Sequence, residues 1–266
     1  MKFLQIEVNK QSYLLDTDIV TELLHFVKPQ NTSYQNDKID GVINHKENII
    51  PIVSIRKLLD FISFKEEQVS FIYKVENQHK VWVEEFEHSL KTGETFTKAL
   101  DPHKCELGKW IDKTKACLHC NTNGFVDLLA QEIVDHHDAL HKNGAKFLQE
   151  KDEDCQVQVE TIKALADKTI SGLHTISNNI EKLTSAFEQI VLVSIDGKDI
   201  GIVVDRIDKT HDLEEKEFFG STKNLSSASK YIQFINHYEI DGSLMFSINF
   251  TKEFKALFIT TKEASE

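Results

Sequence analysis

The segment Asp101-Pro-His-Lys-Cys-Glu-Leu-Gly-Lys-Trp110 decides how the middle of this 266-residue chain is interpreted, because it contains the motif Cys-x-Leu-Gly-x-Trp. Asp101 is a good N-cap residue, and Pro102 suits the first position of a helix. Cys105 is therefore predicted in the first turn of a helix, where the helix dipole favours a negatively charged thiolate. A thiolate binds metal ions and is readily oxidised. The segment thus predicts a metal-binding or redox-active cysteine.

Three histidines lie at spacings typical of metal ligands. His79 precedes Trp82 by three residues, so a helix places both on one face. His137 and His141 are four residues apart, so on a helix they project side by side and can bind one metal ion. Any one of them alone would be an ordinary surface or core histidine, but all three fall on apolar helical stripes, where a buried imidazole needs a polar partner. Together with Cys105 they form the four-ligand set of a structural zinc site.

Other histidines leave alternatives open. His136 directly precedes His137 and could replace it as a ligand if the helix were rotated. His88 and His103 are lesser candidates. The apolar stripe that carries the histidine pair is predicted from a helical spacing of three and four; its members are Val126, Ala130, Ile133, His137, His141, Gly144 and Leu148.

Residues from about 66 to 187 resemble the chemoreceptor zinc-binding domain, whose pattern is His-x-x-Trp, then Cys-x-Leu-Gly-x-Trp, then His-x-x-x-His. All three pieces occur here in the family's order, and the cysteine motif is the specific one. The resemblance implies a four-helix bundle that binds Zn²⁺ through His79, Cys105, His137 and His141. It also implies a link to the sensing of hypochlorous acid or of zinc itself.

Composition and charge exclude several classes of protein. The 31 lysines and arginines against 43 aspartates and glutamates give a net charge of −12, which argues against nucleic acid and against an anionic membrane surface. The amino terminus has no signal-peptide core, and no apolar run approaches the roughly 18 residues of a membrane span. We therefore expect a cytoplasmic protein with no direct membrane insertion.

Cysteine usage does not predict disulfides. Four cysteines in 266 residues are too few for a disulfide framework. Cys117 and Cys120 enclose His119 in a Cys-x-x-Cys pattern, but no predicted strand precedes the pattern and no second pair completes a metal site. We interpret this pattern as a solvated loop.

The middle of the chain is predicted to be helical. None of the three prolines follows residue 102, which is consistent with long helices beyond it. Apolar residues recur at helical spacing through these segments, which together predict an antiparallel bundle. Helices are expected near 66–92, 103–116, 122–149 and 156–187.

The two ends of the chain predict β-structure. Asp196-Gly197 and Asp241-Gly242 each separate two apolar runs, which is a strong signal for a β-hairpin. Residues 1–60 contain further short apolar runs around polar turns, with a segment at 18–27 that suits either a helix or a strand. Because insertions are tolerated in exposed loops, the simplest fold is α+β, a helical domain inserted into a β domain. The expected parts are 1–65, first part of the β domain; 66–187, the inserted bundle; and 188–266, second part of the β domain.

These ends resemble CheW, the adaptor of bacterial chemotaxis. The matching segments are Gly41-Val-Ile-Asn44, Ile50-Pro-Ile-Val-Ser-Ile-Arg56 and Gly201-Ile-Val-Val-Asp205. The resemblance implies a CheW-like pair of small five-stranded SH3-like β-barrels with no catalytic site. It also implies binding to the histidine kinase CheA and to the cytoplasmic tips of chemoreceptors, with Arg56 on the receptor-facing surface. Asp205 is expected to be structural, as a cap at the end of a strand.

The two resemblances together predict a chemotaxis adaptor with a built-in sensor. Oxidation of Cys105 would change the charge and geometry of a zinc ligand and loosen the helix that carries it. An alternative is that the zinc is purely structural and the bundle is a docking or dimerisation module, which would permit a homodimer. A metalloenzyme is disfavoured because four protein ligands close the metal shell, and Asp135 and Asp138 beside the histidine pair suit solvated helix positions equally well.

Overall fold

The structure, a computed structural model, divides into two compact units. A β unit comprises Met1–Phe64 and Phe187–Glu266, and a helical unit comprises Lys65–Ala186. The Cys-x-x-Cys pattern at Cys117 and Cys120 lies outside the residues that the structure describes. Those residues are 1–31, 36–116, 124–150, 155–213 and 229–258.

The β unit is built from short strands joined by tight turns. Asn9, Lys46, Asp196 and Asp241 open four of these turns with positive φ angles, the backbone that two-residue hairpins require. The segment at 18–27 is a strand after a short 3₁₀ turn. The strands are β1 (Lys2–Val8), β2 (Gln11–Asp16), β3 (Val20–His25), β4 (Gly41–His45), β5 (Asn48–Ser54), β6 (Gln189–Ile195), β7 (Lys198–Val204), β8 (Arg206–Asp212), β9 (Ile232–Ile240) and β10 (Ser243–Phe250).

Each of the two sheets needs strands from both ends of the chain. One five-stranded sheet has the order β8-β1-β2-β10-β9, and the other has the order β3-β6-β7-β5-β4. Parallel pairing joins the two ends in both sheets, with Tyr13 opposite Phe246 in one and Ile52 opposite Gly201 in the other. The expected α+β fold, with two β-sheets and an inserted helical region, is confirmed.

Gly201 shows why a glycine stands in the middle of a buried strand. A Cβ atom at this position would lie 2.3 Å from Cδ1 of Ile52 on the neighbouring strand. Any side chain would therefore displace Ile52, which is fully buried. Gly201 is structural, since it permits the close packing of the sheet interior.

Most of the helices occupy the segment of the sequence between the two parts of the β unit. Among the described residues, no helix is both long and apolar enough to cross a membrane. The first and last of the helices lie in the β unit, next to strands β5 and β10 in sequence. The helices are α1 (Ile55–Leu58), α2 (Phe64–Thr92), α3 (Glu106–Ala116), α4 (Phe125–Leu129), α5 (Asp135–Gln149), α6 (Cys155–Asn178), α7 (Ile180–Phe187) and α8 (Lys252–Ala256).

The helix expected at 156–187 is two helices, α6 and α7, separated at Asn179. The side-chain amide of Asn179 donates to the carbonyl of Thr175 at 2.9 Å, and its backbone N–H contacts the carbonyls of both Thr175 and Ile176. Asparagine competes for backbone hydrogen bonds in this way and has a low helix propensity. The prediction of a single helix was wrong at this residue.

A π-helical turn, Ala130–Val134, connects α4 to α5. The backbone is therefore helical from Phe125 to Gln149, but one turn in it is wider than an α-helical turn. Both histidines of the predicted pair follow this wide turn, on α5.

Candidate metal centre

Two helices and the start of a third bring the predicted ligands together. His79 lies on α2, Cys105 directly precedes α3, and His137 and His141 lie on α5. One ligand atom from each of the four residues lies within 4.8 Å of all the others. Zinc–ligand bonds of about 2.0–2.3 Å place tetrahedral ligands slightly closer than this, so small side-chain adjustments complete a shell. The structure brings the four predicted residues together; that they bind a metal ion stays a prediction.

Hydrogen bonds orient the histidine rings. Nδ1 of His79 lies 2.7 Å from the carbonyl oxygen of Val75, and Nδ1 of His141 lies 3.1 Å from the carbonyl oxygen of Ala99. A carbonyl only accepts, so each Nδ1 carries the proton and each Nε2 keeps its lone pair. Metal-binding histidines are held in this way by backbone carbonyls.

The Nε2 atoms of the three histidines show whether these residues fit a metal ion. Nε2 of His79 and Nε2 of His141 are buried, and neither has a hydrogen-bond partner among the described residues. Nε2 of His137 lies 3.1 Å from the sulfur of Cys105. A buried lone pair without a partner is energetically costly. Three imidazole nitrogen lone pairs that point toward one cysteine sulfur suit a divalent cation such as zinc. The four residues therefore fit zinc.

Burial keeps all three histidines neutral, as metal binding requires. The side chains of His79, His137 and His141 are 3%, 1% and 0% exposed. This burial lowers the pKa of His79, lowers the pKa of His137 to about 2 and lowers the pKa of His141 to about 4, and the neighbouring rings add repulsion in the last two cases. Protonation therefore does not compete with a metal ion near neutral pH.

Cys105 is the N-cap of α3 and does not lie in the first turn. The helix begins at Glu106, because residues 101–105 form tight turns, and the expected start at 103 was wrong. The sulfur accepts the N–H of Gly108 at 3.2 Å, as an N-cap side chain does. Burial nonetheless raises the pKa of the Cys105 thiol, against the opposing N–H groups of Gly108 and Leu107. The helix start alone therefore does not favour the thiolate, and the protonated thiol donates to the carbonyl of Pro102 at 3.3 Å. A bound cation would favour the thiolate.

The glycine and the first tryptophan of the motifs support the ligands. A Cβ atom on Gly108 would lie 1.7 Å from the carbonyl oxygen of Pro102, so only glycine lets α3 fold back on the preceding turn. The indole N–H of Trp82 donates at 2.9 Å to the carbonyl of Ala99, the same carbonyl that orients His141. The His-x-x-Trp motif therefore supplies one predicted ligand, His79, and one residue, Trp82, that helps to position another, His141.

The alternative histidines lie outside the cluster. His136 is partly exposed, whereas the neighbouring His137 is buried. His88 pairs with Glu94, and His103 pairs with Asp112, both in exposed positions. Sequence reasoning missed the carbonyls of Val75 and Ala99, because a backbone acceptor leaves no signal in side-chain identity.

Arg56 does not lie on a partner-facing surface, and that expectation was wrong. Its side chain is 3% exposed and its guanidinium binds the Asp205 carboxylate with two parallel hydrogen bonds, Nε to Oδ1 at 2.6 Å and a terminal nitrogen to Oδ2 at 2.5 Å. A further bond runs to the carbonyl of Ile62 at 3.1 Å. Asp205 also accepts the N–H of Asn9, so it is an ion-pair partner as well as a strand-end acceptor. The pair fixes the interior of the β unit.

Glu188 is a half-buried carboxyl group with a raised pKa, which the sequence did not indicate. Burial raises the pKa of Glu188 to about 8, and the nearby carboxylates of Asp205 and Asp40 add to the effect against the opposing charge of Arg56. A glutamate before a strand is common, so no pattern in the sequence distinguished it from a solvated residue.

Two family models match the first part of this chain. Residues 2–83 match the model of the CheW-like domain, and residues 79–148 match the model of the chemoreceptor zinc-binding domain. The crystal structure of the scaffolding protein TtCheW from Thermoanaerobacter tengcongensis is 11% identical, with a TM-score of 0.44 over 98% of this chain and 93% of that chain. No curated protein matches the sequence.

The chain therefore carries two segments of different type, one that matches the CheW-like domain and one that matches the chemoreceptor zinc-binding domain, and each match covers less than a third of the 266 residues. This combination is consistent with chemotaxis signalling.

Proposed function

We propose that this protein couples chemoreceptors to the histidine kinase CheA and that zinc bound by His79, Cys105, His137 and His141 modulates this coupling. The observation that carries the proposal is the pair of buried, unpartnered Nε2 atoms on His79 and His141, beside the sulfur of Cys105. With these proposed partners, the protein would act in the cytoplasm. No catalytic step is proposed, because four side chains complete a tetrahedral shell.

When bound, zinc would stabilise the Cys105 thiolate and accept the three imidazole lone pairs. The protein would hold the ion between α2, the start of α3 and α5. Because these elements share no other polar centre of this kind among the described residues, the ion would fix their positions relative to one another. A change at one ligand would then be felt by all three elements.

Access to the sulfur supports the sensing of an oxidant. Cys105 is only partly buried, and with His79 and Trp82 it lines a cavity of about 370 Å³. Hypochlorous acid is small enough to enter such a cavity. The thiolate and hypochlorous acid would give a sulfenic acid and chloride: the sulfur gains the oxygen atom and is oxidised, and the chlorine is reduced to chloride.

Oxidation would have a direct structural consequence at α3. The sulfur of Cys105 accepts the N–H of Gly108, so a change at this atom alters the N-cap as well as the ligand set. Loss of an N-cap typically costs about 1 kcal/mol, and loss of a metal ligand costs more. We propose that α3 loosens and that this change alters how the β unit engages its partners.

The experiment titrates hypochlorous acid against the zinc-loaded protein in the presence of CheA and receptor. Zinc release is followed with a chromogenic chelator, and kinase activity is followed by autophosphorylation. We expect release and an activity change in the wild type, both abolished in Cys105→Ser. Cys155→Ser is the matched control, since Cys155 is another partly buried free cysteine of the helical unit and lies outside the ligand cluster.

The results distinguish a sensing role of the metal from a purely structural one. Zinc release with unchanged kinase activity would show that the metal is structural and that the bundle is a docking or dimerisation module. In that case sedimentation with and without zinc would test for a homodimer. Zinc stimulation of kinase activity without oxidant would instead identify zinc as the signal. A metal-free wild-type protein would overturn the site assignment itself.

A further inference from the structure

The π-helical turn at Ala130–Val134 lies just before the histidine pair and changes which residues share its face. An α-helical hydrogen bond spans four residues and a π-helical one spans five, so a single wide turn takes up one extra residue. Such turns are rare and occur often at functional sites. His137 follows the end of this turn by three residues.

The burial pattern on the two sides of the turn requires the extra residue. At about 100° per residue, the 12 residues from 125 to 137 would place Phe125 about 120° away from His137 in an unbroken α-helix. If the π turn takes up one of these residues, the angle between Phe125 and His137 around the helix axis is only about 20°. Phe125, Leu129, His137 and His141 are all 0–1% exposed, so the structure does place them on one face.

The apolar stripe expected from the sequence shows the same shift. Helical spacing back from His137 selects Val126 and Ala130 as buried residues. In the structure Ala130 is exposed and Val126 is only half-buried, while the preceding residues Phe125 and Leu129 are buried. At Val126 and Ala130 the stripe prediction was therefore wrong by one residue, and the π turn accounts for the shift because it contains one extra residue.

A glycine on the neighbouring helix accommodates the wide turn. A Cβ atom on Gly172 of α6 would lie 2.2 Å from the carbonyl oxygen of Glu132 and 2.9 Å from a side-chain carbon of Ile133. The first contact is with backbone, so it cannot be relieved by a side-chain rotation. Gly172 therefore permits α6 to pack directly against the π turn.

We propose that the π turn, backed by Gly172, is the positioning device that selects His137 and His141 as ligands. This inference rests on the metal site proposed above. If the turn relaxed to an α-helix, every later residue would advance by about 100°, and His136 and Leu140 would take the positions of His137 and His141. Leucine offers no ligand atom, so the relaxed helix would supply only one histidine to the site.

The test combines a substitution that crowds the turn with a deletion that removes it. Gly172→Ala is expected to weaken zinc affinity at least tenfold, although alanine favours a helix more than glycine does. The control Ser171→Ala changes an exposed neighbour and is expected to bind zinc within threefold of the wild type. Deletion of Gln131, an exposed residue of the π turn, is expected to restore affinity in the Gly172→Ala background to within threefold.

A second deletion shows whether the effect is specific to the turn. Deletion of Gln131 alone should retain zinc within threefold, since an α-helical turn then keeps both faces aligned. Deletion of Lys142, an exposed residue in the regular part of the same helix, would put Ala145 in the place of Gly144, where a Cβ atom would lie 2.4 Å from the Trp82 ring. This deletion should weaken zinc affinity at least tenfold. Cobalt absorption bands check that one sulfur and three nitrogens bind in each zinc-binding variant.

The outcomes that overturn the inference are distinct from failure of the proposed function. Wild-type affinity in Gly172→Ala, or equal loss in the two deletions, would overturn it. If the wild type binds neither zinc nor cobalt, the proposed metal site fails. The same variants are then compared by thermal unfolding followed by tryptophan fluorescence, and the positioning role still requires that deletion of Gln131 restore the stability lost in Gly172→Ala.

Discussion

The two units differ in how their main clusters of buried polar side chains are satisfied. In the β unit, the guanidinium of Arg56 and the carboxylate of Asp205 satisfy each other, with additional bonds to Ile62 and Asn9. In the helical unit, Nε2 of His79 and Nε2 of His141 are buried and lack partners among the described residues. The β unit thus pairs its buried guanidinium with its own carboxylate, while Asp40 Oδ2, Arg206 Nε and His237 Nδ1 are buried there without a partner among the described residues. Only the unpartnered atoms of the helical unit belong to a cluster of metal-ligand type among those residues. The difference teaches that an ion pair satisfies itself, whereas a cluster of neutral ligands leaves room for a stabilising cation, and we expect only the helical unit to gain stability from a metal ion.

The physical basis of this contrast is the cost of desolvation. A buried ion pair is tolerated when both partners are present, and it becomes strongly unfavourable when one is removed. Neutral imidazoles cost less to bury than charged groups, but each lone pair still loses its hydrogen bonds to water. A cluster of neutral ligands can therefore exist before the metal arrives and gains stability when it binds.

Removal of the metal is expected to have the largest effect, and only in the helical unit. Structural zinc sites contribute on the order of 10 kcal/mol, so chelation or His141→Ala should lower the unfolding temperature of this unit strongly. Both tryptophans of the chain, Trp82 and Trp110, lie in the helical unit, so tryptophan fluorescence reports on it alone. His88→Ala, a change at an exposed histidine, is the control and should leave the zinc content unchanged. An equal loss of stability in both units would break the comparison.

Disruption of the buried ion pair should have the next largest effect, and only in the β unit. Arg56→Met leaves the Asp205 carboxylate buried without its partner, which typically costs about 3–5 kcal/mol. Hydrogen exchange measured on peptides from the strands should detect this loss, while the zinc content and the tryptophan signal stay as in the wild type.

The control for the ion pair is an exposed one. Lys209→Ala removes a pair with Asp241, in which both side chains are more than half exposed, and should change stability little. The double variant Arg56→Met with Asp205→Leu should recover much of the loss, because neither charge then remains buried alone. A double variant as unstable as the single one would contradict this account of the β unit.

The smallest effect is a pH dependence of the β unit. Burial raises the pKa of Glu188 to about 8, from a value near 4.5 in the unfolded chain. Between these values the folded protein binds one more proton, so stability is full below about pH 4.5 and falls as the pH rises toward 8. One proton corresponds to at most about 1.4 kcal/mol per pH unit, so the change between pH 6 and pH 8 is at most about 2.7 kcal/mol.

Glu188→Gln should remove this slope and leave the helical unit unchanged. The free energy of unfolding of the β unit is measured in urea at pH 6 and at pH 8, with hydrogen exchange as the readout, and the two values are compared. An identical pH dependence in the variant would show that Glu188 does not titrate in this range in the folded protein.

Much of the fold follows from local sequence. The Asp-Gly turns at 196–197 and 241–242 specify their hairpins because their backbone requirement is local. The edge strand β8 (Arg206–Asp212) and helix α8 were not predicted. The β8 segment is polar and mostly exposed, so it has no apolar alternation, and its place beside β1 is decided by pairing across the sheet.

The sequence by itself determined the kind of chemistry in this protein: one cysteine and three histidines at helical spacings, within helices flanked by β-strands. Residue identity and spacing carry that information because ligand chemistry and helical periodicity are local properties. Only the tertiary structure decided that Arg56 is buried with Asp205, that Cys105 is an N-cap, and that a π turn against Gly172 aligns His137 and His141 with Phe125. These features depend on contacts between residues far apart in the chain, and packing sets them against the local helical period.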